Sequence, residues 1–241
     1  MKEHSLTQKY TVKLLEEIKT GIYAGANILP PETEIANYFS ISRTIIRDCL
    51  SILDREGFVS RKRGIGTIIN RHVLSVAVRM DLEMEFMDII MQAGYTPHAD
   101  FIGWQIIPAT DKIASKLKLQ KDDKVFATYR TVYADDSPAI YCEDYIPEKL
   151  IRASNYDEEL LKKPIFDFMN ICCNQEVYMD MSEIYAICAN DNIAKIMKVE
   201  TGTCLLNLNE VGYSFTGQAV LYSNEFYRQD KLIQTILRKK I

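Results

Sequence analysis

Arg43 and Arg47 stand one helical turn apart, with the hydroxyls of Ser42, Thr44 and Ser51 around them. On one face of a helix such a set suits a polyanion. A guanidinium can grip guanine through two hydrogen bonds, and a short hydroxyl can reach a phosphate. Taken alone, the set reads better as an arginine-bearing face open to water. A second cluster changes the weighting: Arg61-Lys62-Arg63 runs straight into Gly64-Ile65-Gly66. Three consecutive cations at a loop tip repel one another unless they meet anions, and glycine lets a backbone approach a phosphate closely.

Other chemistry finds less support. Asp122-Asp123 and Asp135-Asp136 are paired carboxylates, but each falls where a turn is wanted, so turn formation accounts for them better than acid–base catalysis. His4, His72 and His98 are isolated, and the six cysteines contain no C-x-x-C, which argues against a zinc site or a redox pair. Cys49, Cys142, Cys172, Cys173, Cys188 and Cys204 read as small hydrophobes in a reducing compartment. There is no phosphate-cradling G-x-x-x-x-G-K-[ST], no H-E-x-x-H and no Ser/His/Asp set, so neither a cofactor nor a metal is expected. One enzyme alternative stays open, an arginine–glutamate pair made by Arg130 and Glu143.

The elements that would position these residues follow from periodicity. Tyr10, Leu14 and Ile18 predict a helix from about Leu6 to Thr20, ended by Gly21. Pro30-Pro31-Glu32 opens a short second helix carrying Ile35, Ala36 and Phe39. Ser42 caps a third, whose stripe Ile46, Cys49, Leu50 and Leu53 faces a core and leaves Arg43, Thr44, Arg47 and Ser51 outward. Gly57 ends it, and Phe58–Ser60 and Thr67–Ile69 read as two strands flanking the basic tip. Three helices and a basic wing make a winged helix-turn-helix.

Charge follows the same division. The 241 residues are 47% hydrophobic and 26% charged with a net charge of −4, an ordinary globular composition. Residues 1–70 hold ten Lys/Arg against eight Asp/Glu, and the rest nineteen against twenty-five, a mildly basic head on an acidic body. No apolar run approaches a ~20-residue membrane span. Met1–Tyr10 carries Lys2, Glu3, His4 and Lys9 without an apolar core, unlike a secretory leader, so a cytoplasmic protein is expected.

Beyond an extended connection at residues 71–80, Asp81–Ala93 reads as a helix and Ala99–Ile107 as a strand. An internal repeat follows. Asp111-Lys-Ile-Ala-Ser-Lys-Leu-Lys-Leu119 aligns with Asp191-Asn-Ile-Ala-Lys-Ile-Met-Lys-Val199, and each leads into two strands, Val125–Tyr133 with Ala139–Ile146 and Leu205–Tyr213 with Ala219–Tyr227. Pro164–Ile171 reads as a helix and Val177–Ile187 as a strand. Helix-plus-hairpin units imply an antiparallel sheet with flanking helices, an α+β domain.

In order along residues 6–70, Leu29-Pro30-x-Glu32, Ile35-Ala36, Ile41-Ser42-Arg43, Ile46-Arg47, Glu56-Gly57-Phe58-Val59 and Gly64-x-Gly66-Thr67 resemble the GntR-type DNA-binding signature. The resemblance implies DNA contacts from Ser42, Arg43, Thr44 and Arg47 and from Arg63 and Gly64 at the wing. The wing's charge and position add Arg61, Lys62 and Thr67. Thr33, Pro31 and Ser40 depart from the family's arginine, serine and glycine, which implies an operator unlike the commonest ones.

The body, through Phe86…Gly94-Tyr95-x-Pro97, Arg130…Ala134-Asp135-Asp136-x-Pro138, Tyr145-Ile146-Pro147 and Gly217…Tyr227-Arg228-x-Asp230, resembles the UTRA effector-binding domain of the HutC subfamily. That implies a chorismate-lyase-like fold over residues 81–241, a homodimer, a double-stranded DNA operator and a small-molecule effector. Where sugar-phosphate-binding members hold phosphate, this chain has Glu85-Phe86-Met87, Arg130-Thr131-Val132 and Pro164, one arginine and a new carboxylate. Cys142, with Glu143 beside it, and Leu221 replace the glutamates that face the sugar, while Tyr227 remains. Glu85, Arg130, Glu143 and Tyr227 are therefore expected to line a pocket for an effector other than a hexosamine phosphate.

Overall fold

Leu14 and Ile18 on α1 (Leu6–Lys19), Ile35 and Ala36 on α2 (Glu32–Phe39), and Ile46, Cys49, Leu50 and Leu53 on α3 (Arg43–Arg55) bury one side of each helix in a common core. The computed structural model describes residues 6–152 and 158–239. β1 (Ile28–Leu29), β2 (Val59–Lys62) and β3 (Gly66–Ile69) form a small sheet in the order β1-β3-β2, closing the core with Leu29, Val59 and Ile69. Ser42 caps α3 by accepting from the Ile45 N–H at 3.3 Å. Ser40, in the turn before it, sits at φ 53°, a left-handed conformation that glycine would adopt without strain.

The chain divides into two units, and the first holds more than the head read from sequence. It runs to Glu83 and takes in the chain from Thr235 onward. Residues 71–80 are not simply extended, because Arg71–Leu74 forms one helical turn, α4. The Arg71 guanidinium caps the carbonyls of Ile18, Tyr23 and Ala26. Arg79 is buried, donates to the Glu56 carbonyl at the end of α3, pairs with Asp81 and lies 5.1 Å over the Phe58 ring. The end of the chain joins this cluster. Thr235 pairs in parallel with Arg79, the Leu237 N–H donates to Asp81, and Leu237 packs on the head core. Gly57, at φ +82°, makes room for it, since a Cβ there would lie 2.2 Å from the Leu237 side chain.

These ties explain why the helix expected from Asp81 begins late. Asp81 is engaged by Arg79 and Leu237, and α5 spans only Phe86–Gln92.

In the second unit, Met84–Gln234, six strands run in the order β4-β5-β6-β9-β8-β7, every neighbouring pair antiparallel. They are β4 (Pro97–Pro108), β5 (Lys124–Ala134), β6 (Ser137–Pro147), β7 (Met179–Cys188), β8 (Cys204–Tyr213) and β9 (Ala219–Tyr227). The internal repeat is visible as two related halves meeting at the β6–β9 seam. Helices α6 (Asp111–Leu117) and α9 (Asp191–Met197) are capped alike by Thr110 and Asn190, and each ends on a left-handed lysine, Lys118 and Lys198. Both cover one face of the sheet, through Ile113 and Leu117 in one case and Ile193 and Met197 in the other.

The other face is covered by an apolar cluster built from α7 (Glu158–Leu161), α8 (Ile165–Phe168) and the sheet residues Phe126, Ile146 and Leu221. The helix expected over Pro164–Ile171 is α8 continued as a π-helical turn, Met169–Cys173, ended by left-handed Asn174.

Candidate nucleic-acid interface and effector site

Helix α3 presents Arg43 and Arg47 with side chains 60% and 51% exposed, and Ser42 and Thr44 are exposed beside them. The wing lies against the same surface. Arg61 donates to Ser51 Oγ at 3.0 Å, while Lys62, Arg63 and Gly64 at the tip are open to solvent and Thr67 is half-buried in β3. Glu32, at the start of α2, gathers the set. Its carboxylate meets Arg43 at 3.1 Å, Arg47 at 3.4 Å and Arg61 at 3.0 Å. Burial pushes the Glu32 carboxyl up, but the Arg43 hydrogen bond and the Arg47 and Arg43 charges outweigh it and hold the group below the ordinary range. The arrangement is a fixed array of guanidinium groups, with one carboxylate ordering them and a cationic tip alongside.

In the second unit, register decides which side chains meet. Arg130 is opposite Cys142, so Arg130, Cys142 and Asp144 share a face with Thr128, Ser223, Glu225 and Tyr227. Arg130, 7% exposed, donates to Asp144 at 3.1 Å and to the Lys163 carbonyl at 2.9 Å. Asp144, 1% exposed, also accepts from Ser223 and Cys142. Tyr227 donates to Glu225 and meets the Phe86 ring of α5 edge-on. Glu85, just before α5, caps nothing with its side chain and lies near Arg130; burial, despite that cation, raises its carboxyl. Burial holds the Cys142 thiol and the Tyr227 phenol far above their ordinary values, with Asp144 and Glu225 adding to the effect, so both are neutral donors.

Glu143 is not among them. It is opposite Tyr129 on the face covered by α6 and α9, where Tyr141, Tyr145 and Asn224 donate to it. The pocket expected from Glu85, Arg130, Glu143 and Tyr227 thus brings three of the four together, with Asp144 in place of Glu143. The reason is a register shift between Val132 and Tyr133, which exchanges the faces of β6 relative to its turn. The same geometry removes the Arg130–Glu143 catalytic pair.

Residues 92–232 match the UTRA domain model, and residues 6–69 match the model described as bacterial regulatory proteins, gntR family. The chain belongs to the GntR family and carries a UTRA domain. This regulator is 26% identical over 223 residues to the HTH-type transcriptional repressor NagR of Bacillus subtilis, covering 91% of this chain and 90% of that one. It is 21% identical over 224 residues to the transcriptional regulator GgaR of Escherichia coli, with coverage of 92% and 86%. Among solved structures it resembles YydK of Bacillus subtilis, with a TM-score of 0.78, 16% identity and coverage of 97% and 99%. PhnF of Mycobacterium smegmatis gives 0.60, 18% identity and coverage of 95% and 98%. NagR and GgaR are named regulators of transcription, and the enzyme alternative gains nothing from them. Among the described residues, no helix is long and apolar enough to cross a membrane.

Two groups in the GntR-family chain escaped the reading from residues. Glu32 looked like a helix-dipole residue, although its place 11 and 15 residues before Arg43 and Arg47, on the preceding helix of a helix-turn-helix, was the available signal. Glu210 lies on the Asp144 face, accepts from Ser182, and is raised to about 6 by burial, with the Asp180 and Asp144 charges adding to the rise. Its carboxyl is held above the unfolded value, so its ionisation opposes folding once pH passes about 6. Glu210→Gln should therefore raise unfolding free energy by roughly 2 kcal/mol above that pH. The gain should vanish below the ordinary carboxyl range, where both forms are neutral. Urea unfolding of the two proteins across pH measures this, and equal stabilities throughout would contradict it.

Proposed function

We propose that this protein is a cytoplasmic, HutC-type homodimeric repressor whose operator affinity is set by a small molecule bound in the UTRA domain. The observation that carries the reading is the exposed array of Arg43, Arg47 and Arg61 beside the basic wing tip. In this reading Ser42, Arg43, Thr44 and Arg47 enter a major groove, and Arg61, Lys62, Arg63, Gly64 and Thr67 follow the adjoining backbone. Repression is supported by the relative NagR, which is named a repressor. A dimer is supported by apolar side chains exposed on both edge strands, Ile102, Trp104 and Ile106 on β4 and Met179, Met181 and Ile184 on β7. Effector binding then favours one placement of the two heads, a coupling of about 1–3 kcal/mol.

The effector contacts are Glu85, Arg130 and Tyr227, joined by Asp144. Arg130 already has Asp144 as counter-ion, so a phosphate entering here would compete with that carboxylate and meet Glu85 nearby. Isothermal titration with glucosamine 6-phosphate should accordingly show no micromolar binding.

The DNA contacts are tested by salt. Lys62→Ala should lower the slope of log affinity against log salt by about 1 and leave sequence preference intact. Were Lys62→Ala to change preference and not slope, the wing would be misassigned. Glu32→Gln makes a complementary test: removing the carboxylate among the arginines should tighten binding to unrelated duplex and narrow the gap between operator and unrelated DNA. An unchanged gap would mean that Glu32 orders nothing that DNA reads.

A further inference from the structure

Four of the six cysteines are the small hydrophobes expected from sequence, and two are not. Cys49, Cys142, Cys172 and Cys173 are buried, and burial pushes each of those thiols up. A buried thiol of that kind seldom ionises and is a poor nucleophile. Cys188, the last residue of β7, and Cys204, the first of β8, are exposed. They are also each other's partners in the β7–β8 register.

Hydrogen bonding sets how close the two thiols lie. Antiparallel partners alternate between pairs that exchange backbone hydrogen bonds and pairs that do not, and side chains approach more closely in the second kind. The Ala189 N–H donates to the Thr203 carbonyl at 2.8 Å, which makes Ala189 and Thr203 the bonded kind and Cys188 and Cys204 the other. Such partners have Cα atoms about 4.5 Å apart and Cβ atoms close to the ~4 Å that a disulfide spans. Ser182 and Glu210 hold the same kind of position further along these strands, and their side chains do meet in a hydrogen bond.

The internal repeat separates this feature from the needs of the fold. Pro108 and Lys124 are partners at the corresponding place beside α6, and the Ala109 N–H donates to the Asp123 carbonyl at the same 2.8 Å. The ladder closes equally well without sulfur. The segment between the two cysteines carries α9, so a bond between them would close a loop around that helix and tie β7, which ends the sheet, to β8. Cys188 lies four residues beyond Ile184, about 13 Å at strand spacing from the apolar residues of β7 that support a dimer.

We propose that Cys188 and Cys204 form a reversible redox site, a dithiol that closes to a cross-strand disulfide when it meets a low-molecular-weight organic disulfide. One cysteine thiolate attacks a sulfur of the reagent, forming a mixed disulfide and releasing one thiolate. The other cysteine thiolate then attacks the protein sulfur of the mixed disulfide and releases the second. Two protein thiols are oxidised, the reagent is reduced to two thiols, and the protons lost by the cysteines go to the released thiolates. Excess thiol reverses both steps, so the bond is transient in a reducing compartment.

The test equilibrates the full, reduced chain with reduced and oxidised glutathione in varied ratio and quenches it with acid. Thiols counted after denaturation should fall from six to four as the oxidised form comes to dominate, with no glutathione retained and no covalent dimer. Dithiothreitol should restore all six. Cys188→Ser and Cys204→Ser should each prevent closure and trap one glutathione on the cysteine that remains. Disulfide mapping of the wild type by mass spectrometry should find this pair in the folded protein and a mixture of pairs when the chain is oxidised in urea. Six thiols at every ratio would overturn the proposal. So would an intramolecular disulfide that persists in either variant, stable glutathione on both cysteines of the wild type, or a disulfide between protomers.

Discussion

Arg130→Met costs the UTRA domain about 3–5 kcal/mol, and Asp144→Asn clearly less. Breaking a buried ion pair is expensive because the surviving charge loses its partner in a poorly solvated place. Here the two halves of the pair are not equivalent. Removing Arg130 strands Asp144 beside Glu85, Glu210 and Glu225 on one covered face. Removing the Asp144 charge leaves Arg130 with Glu85 nearby and the Lys163 carbonyl still bound. Denaturant unfolding of the two variants measures the difference. Equal losses, or a larger one for Asp144→Asn, would contradict the placing of Asp144 among other carboxylates.

The double variant Arg43→Ala/Arg47→Ala loses roughly 2–6 kcal/mol of operator affinity, about 30-fold to over ten-thousand-fold, if each guanidinium reads a base edge. That range counts the two deleted contacts alone, and a second effect adds to it. Glu32 is left with Arg61 as its remaining arginine and presents a less neutralised carboxylate to the phosphates. Folding should be unaffected, since both side chains are exposed and the buried stripe of α3 is untouched. Fluorescence anisotropy with operator and with scrambled duplex separates the effects. The operator should weaken far more than the scrambled sequence, and a loss confined to the salt-dependent part common to both would place these arginines on phosphate only.

Much of the head could be read from residues because its determinants are local. The Ile46–Leu53 stripe, the Ser42 cap and the Gly64 tip act within a few residues, and each element formed where its spacing put it. The internal repeat likewise exposed the sheet's two halves. What escaped depends on distant partners or on one extra residue. The anchoring of Leu237 at Gly57 joins positions 180 apart in the chain, and no local pattern at either end announces it. Asp81 suits a helix start, yet its engagement with Arg79 and Leu237 keeps it out of one. The choice between Glu143 and Asp144 turned on a shift at Val132–Tyr133, and alternation along β6 cannot reveal which parity faces Arg130 without it.

The most direct measurement is a selection of sheared genomic DNA by the purified regulator, sequenced after washing at physiological salt, with the Arg43→Ala/Arg47→Ala protein run in parallel. The wild type should enrich a few fragments sharing an inverted repeat with half-sites about one helical turn apart, and the variant should enrich none of them. Wild-type enrichment without a shared repeat, or the same fragments recovered by the variant, would show that α3 and the wing do not read the operator.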